Sequence, residues 1–180
     1  MLKIEVKATE YYDEATNTFF NVEPKILSLE HSLKSLYDWE SKHKKRFLEA
    51  SEKQLTPEET FDYIKCMTLN EEPIPDETYY AINGDDVKRI FDYIQDPMTA
   101  TTFYDFKKQP KKGKNEKISA EIIYYWMLQA GVPFECENWH LNRLLTLLRV
   151  CSIKGNNGKM SKRETAEFNR ALMAERRGKK

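Results

Sequence analysis

Apolar and polar residues alternate at the start of the chain. In LKIEVKA, Leu2, Ile4 and Val6 face one way and Lys3, Glu5 and Lys7 the other, which is the period of a strand. The polar stretch YYDEATNT reads as a turn and FFNVEPKIL as a second β-compatible run, so residues 1–27 are expected to form a hairpin. Pro24, which has no N–H to give a ladder, fits an edge position or a bulge. From Ser28 the period lengthens: Leu29, Leu33, Leu36 and then Trp39 or Glu40 recur at helical spacing. SLEHSLKSLYDWESKHKK is therefore expected to be a helix with Ser28 near its N-cap. Its basic last turn suits the negative end of the helix dipole.

TPEETFDYIKCMTL carries the clearest helix start. Thr56 caps, Pro57 takes the first helical position, where an absent N–H costs nothing, and Glu59 completes a capping box. Phe61, Ile64 and then Met67 or Thr68 form its inner face, and EEPIP ends it. A short helix over Asp76 to Ile82 is followed by a better marked one in DDVKRIFDYIQD, where Val87, Ile90, Phe91 and Ile94 share a face and Pro97 stops the helix. MTATTFYDF shows no clear period. Residues 107–117, KKQPKKGKNEK, read as a flexible basic loop and a site for proteases. A concentrated apolar block follows. Ser119 is placed to cap a helix ending at Ala130, with Gly131 and Pro133 after it and Ile122, Ile123, Trp126, Met127 and Ala130 inward. A second helix runs from about Glu137 to Ile153, with Leu141, Leu144, Leu145, Leu148 and Cys151 as its stripe, and a polar strip of Asn142, Thr146 and Arg149. Ser161 to Glu164 form a further capping box opening a helix to about Arg177, with Phe168, Ala171 and Leu172 as a thin apolar face.

These elements predict a mostly α, α+β fold: an N-terminal β-hairpin followed by a six- to seven-helix bundle. The expected division is a hairpin over 1–27, an N-terminal helical part over 28–106, the basic loop 107–117 and a C-terminal helical part over 118–177. All belong to a single domain, since 180 residues suffice for a core without disulfides or metals.

Charge changes this picture more than composition does. The net charge is zero, yet residues 107–117 hold six Lys against one Glu, and residues 154–180 hold nine Lys or Arg against three Glu. The remainder must be acidic. The basic end admits a nucleic-acid reading through Lys162, Arg163, Arg170, Arg176 and Arg177. Glu164, Glu167 and Glu175 interrupt it and no base-reading side chains group on one face, so nucleic acid is disfavoured. A helix of this kind better suits an acidic partner or the chain's own acidic half. No apolar run approaches the roughly 18 residues of a membrane span, and the start, MLKIEVKATE, lacks the apolar core of a signal peptide. No membrane partner and an intracellular setting are expected.

Catalytic patterns are missing: there is no phosphate-binding glycine loop, nucleophile elbow or HExxH pair. Cys136, three residues from His140 by intervening count, and Cys151 give three metal ligands at most where zinc asks for four, so no metal and no cofactor are expected. Glu135 and Glu137 flank Cys136 and would raise its thiol pKa, which argues against a nucleophile. Three cysteines without paired spacing read as free thiols.

The apolar helix pair over 119–153 is most simply core. A helix apolar around most of its circumference needs cover on several sides, however, and in a chain this short a partner or a second copy of the chain can supply part of it. Tyr124, Tyr125 and Trp126 on the first helix, and Trp139, Arg143, Leu147 and Val150 on the second, are the candidate partner-binding residues. The aromatics and aliphatics would contribute burial, and Arg143 would orient an acidic client residue.

The blocks LSLEHSLKSLYDWESKHKKRFL, ETFDYIKCMTL, DPMTATTF, EIIYYWMLQAGVPFECENWHLNRLLTLLRVCSIK and KMSKRETAEFNRALMAERR, in this order, resemble the tail assembly chaperones of long-tailed bacteriophages. The resemblance covers about residues 27–177, and its most distinctive parts are EIIYYWM and WHLNRLL. It implies a non-enzymatic protein that coats the helix-rich phage tape measure protein, helps to recruit the tail tube protein and then leaves. The setting would be the host cytoplasm, with the protein absent from the mature virion. Two other readings stand beside it: a structural neck or tail adaptor retained in the virion, and a small nucleic-acid-binding regulator using the basic C-terminal helix.

Overall fold

The computed structural model describes residues 1–13, 17–52, 55–103 and 118–155. The expected loop 107–117 and the expected helix from Ser161 lie outside the described residues.

The chain begins as a long hairpin interrupted once. Strands β1 (Leu2–Val6) and β4 (Lys25–Leu29) pair antiparallel, with Leu2 opposite Leu29, Ile4 opposite Leu27 and Val6 opposite Lys25. Strands β2 (Thr9–Asp13) and β3 (Thr18–Val22) continue it, with Thr9 opposite Val22. The two ladders part where Lys7 and Ala8 face Glu23 and Pro24, and Pro24 is the residue that cannot donate. The segment YYD, expected in the turn, belongs to β2 instead. Strand pairing with β3 overrides its polar look. On the inner face Ile4, Val6, Leu27 and Leu29 are buried, as the two-residue period requires.

Ser28 does not cap a helix. β4 runs through Leu29, and the cap is Ser32, at the head of α1 (Leu33–His43). The Ser32 hydroxyl accepts from the Ser35 N–H at 3.1 Å, and the Ser35 hydroxyl accepts from the Ser32 N–H at 2.9 Å. The difference has a local cause: Leu29 stands four residues before Leu33 and so imitates a helical position while ending a strand. β4 gains a second neighbour in residues 67–70. Glu30 N–H donates to the Met67 carbonyl at 2.9 Å and Leu69 N–H to the Ser28 carbonyl at 2.8 Å. The Asn70 amide imitates a peptide, donating to the Ile26 carbonyl and accepting from Ser28 N–H.

α1 is the central helix. Leu33, Leu36 and Trp39 are wholly buried, and the Trp39 indole N–H donates to the Glu59 carbonyl at 2.9 Å. Around α1 stand α2 (Phe47–Glu52), α3 (Pro57–Met67) and α6 (Ala120–Ala130). α3 starts as the sequence predicts, with Thr56, Pro57 and Glu59 in a capping box. α4 (Asp76–Tyr80) and α5 (Gly84–Gln95, capped by Asn83) lead to the irregular residues 96–103. The expected helix from Glu137 is a 3-10 turn over Phe134–Asn138 followed by α7 (Leu141–Gly155). Among the described residues the fold is thus a helical α+β domain with an N-terminal hairpin and seven α-helices. No described helix is long and apolar enough to cross a membrane.

Candidate partner-binding surface

α6 and α7 owe their placement to two different devices. α6 ends where Gly131 takes the left-handed conformation (φ 66). Val132 N–H donates to the Met127 carbonyl and Gly131 N–H to the Leu128 carbonyl, a Schellman pair of bonds that turns the chain sharply. The start of α6 is held from α1. The buried Glu40 carboxylate accepts from the Phe47 N–H through one oxygen and from the Ala120 N–H through the other, both at 2.8 Å. One side chain thereby serves the open N–H groups of two helices.

α7 starts at a histidine pair. His140 Nδ1 accepts from the Asn142 N–H at 3.3 Å, which puts the ring proton on Nε2, 2.9 Å from the Tyr93 carbonyl it donates to. His31 lies beside it, ring centroids 5.2 Å apart, with its Nδ1 against the Tyr63 hydroxyl. Burial, and secondarily the nearby His140, hold the His31 pKa down at about 3. Burial also raises the phenols of Tyr63 and Tyr93, and Tyr93 donates to Glu30 at 2.7 Å. The sequence separates these groups widely, so no spacing within it selects them.

The seven candidate residues fall on distinct surfaces. Tyr124 is tied inward: its hydroxyl donates to Glu137 at 2.7 Å, and its ring meets Tyr37 edge-on. Tyr125 is 57% exposed and points away from the core. Trp126 is half-buried and forms one wall of a cleft between α6 and α7, with Leu145, Leu148 and Cys151 opposite, and a volume of about 680 Å³. Trp139 and Arg143 do come together, the guanidinium lying 4.0 Å over the indole ring. Arg143, Leu147 and Val150 follow one another at spacings of four and three, hence along one stripe. That stripe does not line the cleft but stands on the other side of α7. Leu147 and Val150 are half-buried and Arg143 is exposed. Ala130, expected inward, is exposed, and Ala120, Ile123 and Met127 carry the inner face of α6.

A second apolar cleft escapes a reading of the sequence. It lies between α5 and the pair α2–α3, has a volume of about 730 Å³, and is walled by Phe47, Leu55, Phe61, Ile64, Val87 and Phe91. The signal is present in the clean segregation of α5, but a period alone does not say whether the apolar face is covered.

No group of three or more His, Cys, Asp or Glu able to hold a metal occurs among the described residues. Cys66 has its thiol pushed up to about 11 by burial, which suppresses the thiolate. Compared with family models, with curated proteins and with solved structures, the chain finds no match.

Proposed function

We propose that this protein is a non-enzymatic assembly chaperone of a long-tailed phage, which binds the helix-rich tape measure protein and assists tail-tube assembly. The observation that carries the reading is the open α6–α7 cleft. Its walls of Trp126, Leu145, Leu148 and Cys151 would take the apolar side chains of a client helix. α7, from Leu141 to Gly155, contains no acidic residue, while Arg143, Arg149 and Lys154 give it positive charge. An apolar helix that also carries a carboxylate is the client this favours. The resemblance of residues 27–177 to tail assembly chaperones points the same way, as does the placement of Tyr125, Leu147 and Val150 near the surface.

The experiment is co-expression with the tape measure protein of the same genome, comparing that protein's soluble fraction with and without this chain and capturing the pair through an N-terminal tag. Solubilisation with co-purification is the expected result; the absence of both rescue and capture would sink the reading. Ser152→Glu, at an exposed position lining the cleft, should leave the fold intact and abolish capture. Leu147→Asp with Val150→Asp tests the outer stripe in the same way.

A further inference from the structure

α6 is apolar on the side that the domain leaves uncovered. Among its residues, Ala120–Ala130, one side chain is charged, Glu121, and one is an amide, Gln129. The fold uses a single face: Ala120, Ile123 and Met127 are buried against the domain. At about 100° per residue the opposite face is centred on Tyr125. Glu121 and Gln129 stand about 40° to either side of it, and Ile122 and Leu128 about 60°. Glu121, Tyr125 and Gln129 are exposed, Leu128 is 59% exposed, and Ile122 is half-buried.

The order of the residues says what covers this face. AEIIYYWMLQA has the same chemical character read from either end: Ala, then Glu or Gln, then two unbroken apolar positions, then an aromatic, with Tyr125 in the middle. A twofold contact brings residue i of one copy to residue j of the other, and j to i. Two α6 helices packed antiparallel about an axis at Tyr125 therefore meet in matched layers. Tyr125 faces the partner's Tyr125. At each end Glu121 and Ile122 of one copy stand level with the partner's Leu128 and the partner's Gln129. Apolar groups then share each layer, and the Gln129 amide can donate to the Glu121 carboxylate at both ends. Antiparallel packing also opposes the two helix dipoles. A parallel pair would set Glu121 against Glu121, like charge on like. A helix of unrelated sequence would draw no benefit from the mirrored order.

From this mirrored face we infer that the protein self-associates through α6, as a twofold antiparallel dimer centred on Tyr125. One helix face about 16 Å long at ~1.5 Å per residue offers less than the roughly 800 Å² per partner of a tight complex, so the dimer exchanges with monomer as concentration changes. This does not depend on the protein being an assembly chaperone. Trp126, which walls the α6–α7 cleft, lies about 100° round the helix from Tyr125.

The test uses the full chain. Sedimentation velocity from about 1 μM to about 1 mM should show monomer passing into dimer. Leu128→Glu, at an exposed position, should keep the melting transition. It should also raise the dissociation constant by ~100-fold, because the change occurs twice in a symmetric contact and sets a new carboxylate level with the partner's Glu121. Adding Glu121→Lys to Leu128→Glu should restore the dimer, since in the antiparallel register the new lysine of one copy meets the new carboxylate of the other. With the photo-reactive analogue benzoylphenylalanine in place of Tyr125, irradiation of mixed heavy-isotope and ordinary chains should join that position to residues 122–129 of another copy, as read by mass spectrometry. A chain that stays monomeric across the series would overturn the inference. So would a dimer indifferent to Leu128→Glu, a double variant no better than the single one, or photo-links that fall within one chain or outside α6.

Discussion

α1 and α5 are both amphipathic helices of nearly equal length, and they are used differently. α1 sinks its whole apolar face: Leu33, Leu36 and Trp39 have no exposed surface, and its polar Glu40 is drawn in with them. α5 separates apolar from polar positions more sharply, yet commits Ile90 alone to full burial. Amphipathicity states that a face will be covered; it is silent on whether the cover comes from the folded domain or from something that arrives later. The contrast makes α1 the element on which stability depends and α5 the element with capacity to spare.

The sharpest way to test the contrast is to truncate one residue on each helix. Trp39→Ala removes a wholly buried indole and its bond to Glu59, and should cost about 3–5 kcal/mol in chemical denaturation. A loss of less than about 1 kcal/mol, well below the usual cost of emptying a buried aromatic site, would show that α1 is not the keystone. Next in size is Glu40→Ala, which strands the N–H groups of Phe47 and Ala120. At about 1–3 kcal/mol for each unsatisfied donor, a loss of about 3 kcal/mol is expected, with Glu40→Gln costing less because its carbonyl still accepts one bond.

Acid should act through the histidine beside α1. His31 has its pKa lowered to about 3 in the fold against 6.5 ordinarily, so between these values the unfolded chain binds the extra proton. Stability is therefore complete above about pH 6.5 and lost as pH falls toward 3. The expected loss is roughly 2 kcal/mol between about pH 7 and pH 5. His31→Gln should flatten that part of the profile; an unchanged slope would acquit His31. The smallest effect belongs to α5: Phe91→Ser should shift stability by about 0.5 kcal/mol, the scale of surface substitutions.

What the sequence discloses follows from how local each signal is. The start of α3 is fully legible because Thr56, Pro57 and Glu59 act within one turn. The helix end at Gly131 is legible for the same reason. The β4–α1 boundary is not, because Leu29 satisfies a strand period and a helical period at once. Of the candidate binding residues, the stripe of Arg143, Leu147 and Val150 can be read from helical spacing, whereas the stacking of Arg143 on Trp139, which is extended ahead of α7, and the inward tie of Tyr124 to Tyr37 and Glu137 require the fold. In the sequence Glu40 is only a position on a helix face. Its part in joining α2 to α6 depends on a residue eighty positions away. The His31–His140 pair is hidden by the same kind of distance.

The Glu40 carboxylate has a consequence for the continuity of the chain. α6 is fastened to α1 by a buried hydrogen bond at Ala120, and by the wholly buried Ile123 and Met127, so its seat does not rely on the peptide that reaches it through residues 104–117. Covalent connection and folded connection are separate properties here. A molecule cut between Phe103 and Ile118 should travel as one particle in size-exclusion chromatography and come apart only in denaturant. The two pieces, expressed separately, should find each other, which makes this protein a natural split pair whose reassembly reports on a single carboxylate.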